Sequence, residues 1–69
     1  MENIKINTEY IKLDQLLKWA GEAGSGAEAK SMIEEGKITI NGDLETRRGR
    51  KIRPGDVVSI KEKEFLICR

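Results

Sequence analysis

Two turn signals lie between Gly36 and Ile60, and they leave this chain few ways to fold. Ile38-Thr39-Ile40 runs into Asn41-Gly42, and Pro54-Gly55-Asp56 runs into Val57-Val58-Ser59-Ile60. Asn-Gly between alternating apolar residues is a strong hairpin signal, because both positions accept positive φ. The second turn leads into a short apolar strand, so this half of the chain predicts a mainly antiparallel sheet. Two registers fit the first hairpin. A two-residue loop sets Asp43 opposite Ile40 and turns Leu44 to the other face. A three-residue loop with Gly42 in a bulge aligns Ile38 with Leu44 and buries more apolar surface. Strands at about 57–61 and 65–68 finish the chain, joined by a charged turn at Glu62-Lys63.

The first half reads differently. Residues 3–7 alternate as a short half-buried strand. Leu13, Leu16, Leu17 and Ala20 then fall at helical spacing, and Gly21 and Gly24 end that helix. Ser25 with Glu28 fits a capping box that starts a second helix. It buries Ala29, Met32 and Ile33, and stops at Gly36 in a left-handed C-cap. The expected fold class is α+β: a strand, two packed helices, then a small sheet. Sixty-nine residues make a single domain, 1–69.

Charge is distributed unevenly. The net +1 conceals four cations against seven carboxylates in residues 1–36, and nine against five in residues 37–69. Five cations, Arg47, Arg48, Arg50, Lys51 and Arg53, fall within seven residues between the two turns. Holding them together costs free energy, and a polyanion is the simplest ligand that relieves it. Guanidinium groups bind phosphate bidentately, and Gly49 lets backbone approach closely. The alternative is a solvated arm whose arginines pair with Glu45 or Asp56, but such pairs do not use all five cations.

Other candidates are weaker. Lys12, Lys18 and Lys30 could extend a phosphate-contacting surface across the helix pair, although Glu34 offers Lys30 an i+4 ion pair. Ser25 opens a helix whose free amides favour phosphate, yet it is fully explained as a cap. Trp19 lies about 100° from the leucine stripe. It could stack on an unpaired base or pack beneath the N-terminal strand or Tyr10, and packing is the expected role.

Catalysis finds little support. The chain has no histidine, and its lone Cys68 alternates within an apolar strand and reads as core. No cysteine or histidine pair has metal-ligand spacing and no Gly-rich nucleotide loop follows a strand, so neither metal nor cofactor is expected. No apolar run approaches the ~20 residues of a membrane span. The missing signal-peptide segment and the unpaired cysteine predict a cytoplasmic setting.

Together the motifs resemble a known family. Lys12-Leu13-Asp14-x-x-Leu17, Ser25 with Ala29-Lys30 and Ile33, Gly36-Lys37-Ile38-x-Ile40-Asn41-Gly42, and Gly55-Asp56-Val57-Val58-x-Ile60 resemble the RNA-binding domain of ribosomal-protein-S-four type, the αL motif. The resemblance covers about residues 11–61, and the basic loop looks most like the small stand-alone bacterial members called YaaA-like. It implies a compact α+β module that binds structured RNA, often ribosomal or transfer RNA. The reading that follows is a non-catalytic, monomeric protein acting on ribosomal RNA or an assembling ribosome. By position the resemblance implies RNA contacts at Lys12, Ser25, Lys30 and the loop arginines. Many members carry arginine directly after the serine, where this chain has Gly26, which shifts binding toward the loop. Two other classes fit the basic loop: a DNA-binding protein, and a protein-interaction module with an acidic partner. Glu28, Glu34 and Glu35 make the second helix a poor duplex reader.

Overall fold

The leucine stripe folds as its period requires. In the computed structural model, which describes residues 1–69, helix α1 spans Leu13–Trp19 and α2 spans Gly26–Glu34. Leu13, Leu16 and Leu17 of α1 face Ala29, Met32 and Ile33 of α2 in one buried seam. Ser25 is the N-cap of α2, in extended conformation, and its Oγ accepts the Glu28 N–H at 3.1 Å. The Glu28 carboxylate returns to the N–H of Gly24, one residue before the cap, so the capping box closes a residue wider than the motif predicts. Gly36 follows α2 at φ 77°, the left-handed conformation expected of a helix-ending glycine.

The strands are β1 (Glu2–Lys5), β2 (Ile11–Lys12), β3 (Ile38–Ile40), β4 (Asp43–Leu44), β5 (Lys51–Ile52), β6 (Val57–Ile60) and β7 (Lys63–Cys68). Five of them form a sheet in the order β1-β7-β6-β3-β4, antiparallel except for the parallel pair β1 and β7. The two-residue strands β2 and β5 make a separate antiparallel ribbon. One apolar core joins both helices and both sheets; Ile52 is wholly buried in it and anchors the C-terminal end of the basic loop. No helix is long and apolar enough to cross a membrane.

The first hairpin takes the two-residue loop. Ile40 pairs with Asp43, and Asn41 and Gly42 sit at φ 53° and 90°. Turn geometry prevails over burial here, for Leu44 is left 62% exposed. The Asn41 side chain fixes the turn against the next one: its amide donates to Asp56 at 3.0 Å and its carbonyl accepts the Val57 N–H at 2.9 Å.

Several local expectations shift. β1 starts and ends earlier than residues 3–7, although Ile6 still donates its N–H to the Cys68 carbonyl. The last turn is Lys61-Glu62, with Lys61 at φ 57°, so β7 begins at Lys63. Cys68 is only half-buried, because Phe65 and Ile67 take the core-facing positions and alternation turns residue 68 outward. Trp19 does not pack into the core. It is 67% exposed, and its indole N–H donates to the Lys5 carbonyl at 3.3 Å.

Leu16→Ala and Ile33→Ala should each destabilise the fold by about 2–5 kcal/mol, through the cavity each leaves in a small core. Urea melts measure this directly; a loss below about half a kcal/mol for both would contradict the helix seam. Gly42→Ala should cost roughly 1 kcal/mol, because a β-carbon strains the left-handed backbone of the turn. The same melts test it, and an unchanged midpoint would contradict a turn that requires positive φ.

Candidate nucleic-acid interface

The basic loop leaves β4 and re-enters the fold at β5, and one buried carboxylate organises it. Glu45 is the only buried charged residue of the chain. Its Oε2 accepts the backbone N–H groups of Thr46 and Arg47 at 3.2 and 3.1 Å, and the Arg47 Nε at 3.0 Å. Its Oε1 accepts Arg47 Nη2 at 3.2 Å and Arg50 Nη1 at 2.7 Å. The Arg47 and Arg50 hydrogen bonds outweigh the opposing effect of burial and hold the Glu45 carboxyl near 2, from an ordinary 4.5. Glu45 in turn raises the Arg47 guanidinium above its usual value.

The folded loop is also bonded to the first helix. The carbonyl of Arg50 accepts the Leu13 N–H at 2.9 Å, and that of Arg48 accepts the Asp14 N–H at 3.1 Å. Two amides that a helix start leaves without intrahelical partners are thereby used by the loop backbone. The loop's side chains, not the helix amides, are what this end of the molecule offers to an anion.

Two of the five loop cations are therefore paired internally, which modifies the expectation of mutual repulsion. Arg48, Lys51 and Arg53 form no ion pair. Asp56 accepts the Arg53 backbone N–H at 2.8 Å and leaves its guanidinium unpaired. Lys12 joins the group through the small ribbon, where it pairs directly with Lys51 and points to the same exposed side. Tyr10 lies among them, with Lys51 Nζ 4.9 Å and Arg53 Cζ 5.8 Å from its ring centre. These contacts limit how far the two cations wander. Arg47, Gly49, Arg50, Lys51 and Arg53 line an open groove.

The remaining candidates stay apart from this cluster. Lys18 and Lys30 are exposed on their helices and unpaired, so the available Lys30–Glu34 ion pair does not form. Ser25 spends its hydroxyl on the α2 cap. Gly49 has ordinary negative-side backbone, with open space where a β-carbon would sit. Sequence reasoning named Glu45 as an arginine partner, but only for a solvated arm, and it missed Tyr10 as a neighbour of the cations. Nowhere do three His, Cys, Asp or Glu side chains gather as a metal site requires.

The Glu45 carboxyl is lowered on folding, so its contribution to stability is complete above about pH 4.5 and disappears as pH falls toward 2. The stability difference between wild type and Glu45→Gln should be constant near neutrality and narrow steadily across that acid window. Urea melts of both proteins at several pH values measure it. A difference independent of pH down to 2.5 would contradict the charged clamp.

Comparison with known proteins agrees with the fold. The S4 domain family matches residues 4–68, nearly the whole chain. The Bacillus subtilis protein named "Probable ribosome maturation protein RlbA" is 45% identical over 58 residues, covering 84% of this chain and 82% of that one. YbcJ of Escherichia coli is 44% identical over 50 residues, covering 72% of this chain and 71% of its own. The solution structure of YbcJ, described as revealing an αL motif involved in RNA binding, covers all of this chain and 89% of its own at a TM-score of 0.75 and 33% identity. Small ribosomal subunit protein uS4 of Thermosipho africanus is 32% identical over 62 residues, 90% of this chain but 29% of that larger protein. With the helix pair, the two turns and the loop all in place, this chain belongs to the S4 domain family.

Proposed function

We propose that this protein binds structured RNA without catalysis, acting as a monomer on ribosomal RNA or an assembling ribosome in the cytoplasm. One observation carries the proposal: unpaired cations are displayed on a loop that the fold holds in shape. Lys12, Arg48, Lys51 and Arg53 supply charge that no carboxylate of the chain neutralises. Arg47 and Arg50 clamp Glu45 and present their outer surfaces to the same groove. Such cations position a phosphate backbone, and selectivity comes from RNA shape, because the A-form major groove is too narrow for side chains to read. The names of RlbA and of YbcJ's αL motif support the ribosomal and RNA parts of this reading. Lys18, Lys30 and the Ser25 end of α2, apart from the loop cluster, are secondary contacts.

The test separates the unpaired cations from the clamp. Replacing Arg47 or Arg50 would leave a buried carboxylate short of partners and destabilise the loop. Lys12, Arg48, Lys51 and Arg53 should instead be changed together to glutamine, and binding to a ribosomal RNA fragment followed against salt. Log affinity should fall linearly with log salt for the wild type. The variant's slope should be shallower by about 3 to 4, at ~0.7–0.9 per lost phosphate contact from single strand to duplex. Fold stability should change little, since exposed cations contribute little to it. Equal slopes with a folded variant would remove the loop from the interface. Tighter binding to duplex DNA than to folded RNA would assign the same cations to DNA.

A further inference from the structure

Trp19 is the largest apolar side chain left on the surface, and its placement is specific. It ends α1, seven residues after Lys12, the extended residue of β2 that precedes the helix. Gln15 lies between them, and all three side chains are exposed. About 10 Å of helix therefore separates the Lys12–Lys51 pair from the indole. The Trp19 N–H is bound to the Lys5 carbonyl, which fixes one edge of the ring while most of its surface remains open. Two shallow clefts adjoin the ring, one with Glu2, Ile4, Ala20 and Phe65, the other with Ile6 and Asn7. Lys5 lines both clefts, and neither it nor Lys18, the neighbour of Trp19 on the helix, is paired with a carboxylate.

We propose that Trp19 is a stacking platform for an unpaired nucleobase, with Lys5 and Lys18 on the adjoining phosphates, at the opposite end of α1 from the basic loop. Every base has a π-face, so the platform accepts any unpaired nucleotide and requires only that the base be free of its helix. A protein partner would find an anchored tryptophan equally apolar. Lys5 and Lys18, unpaired with any carboxylate, favour a polyanion. The site extends RNA binding from a duplex-shaped contact at the loop to a junction between paired and unpaired RNA. It rests on the RNA-binding function proposed above.

The chain has one tryptophan, so its fluorescence reports on this site alone. Two RNA probes share one stem: a blunt duplex, and the same stem closed by a loop of unpaired adenosines. Binding of the stem-loop should quench Trp19 strongly, and binding of the blunt duplex should not. Trp19→Leu should weaken stem-loop binding about tenfold, leave duplex binding unchanged, and preserve the salt slope. Trp19→Phe should recover most of the loss, because it restores a ring without the N–H. If Trp19→Leu binds the stem-loop as wild type does, the platform is refuted, and the ring is left for a protein partner. If Trp19→Leu and Trp19→Phe weaken both probes equally, the residue acts by holding β1 in place, which also refutes it. Failure of folded wild type to bind either probe overturns the RNA function itself, an outcome distinct from loss of the stacking step.

Discussion

The five hydrogen bonds converging on the Glu45 carboxylate decide what the rest of the molecule can present. Without that anion, seven residues carrying five positive charges would form an expanded arm. With it, the chain turns sharply after β4, and the turn aims the Arg48 and Arg50 carbonyls at the first amides of α1. The loop is thereby fixed to the helix pair at one end, and to the core through Ile52 at the other. A cationic surface that is already ordered loses less entropy when a partner orders it further. The clamp uses two of the loop's own charges to fix the geometry of the others.

The helices were legible because their signals are local. A leucine stripe, a serine cap and a terminating glycine each act within a few residues, and Leu13, Leu16, Ser25 and Gly36 behave as their spacing implies. The sheet was legible only in part. Asn41-Gly42 marks its turn from sequence, but the choice of register set turn geometry against the burial of Leu44. The clamp from Asn41 to Asp56 and Val57, fifteen or more residues away, is not visible locally. The β2–β5 ribbon is too short for any periodicity to reveal. Parallel pairing of β1 with β7 joins opposite ends of the chain, a relation that alternation in either strand cannot encode.

The candidate interface divides the same way. Residue type identified the loop cations and Lys12, and the fold brings them together. What sequence does not encode is which of them are already engaged. Arg47, Arg48 and Arg50 look alike in a string of letters, yet two grip a buried carboxylate and one does not. Tyr10 lay outside every motif, because its neighbours Lys51 and Arg53 lie some forty residues downstream. Trp19 is the converse case: its angle from the leucine stripe correctly separated it from the core, but the expectation of packing underestimated its exposure.

The parallel pair of β1 with β7 also sets an order of events during synthesis. Glu2 registers with Phe65, and Lys5 with Cys68, so the first strand made pairs only with the last. The helix hairpin and the β3–β4 turn close short loops and can form as the chain emerges, whereas closing a loop of this length is slow. Until residues 63–68 leave the ribosome, β1 has no partner, and Ile4 and Ile6 lack the wall that Phe65 and Ile67 provide. The sheet edge beside Trp19 is therefore the last part of the domain to be completed, after the helix seam that its strands cover.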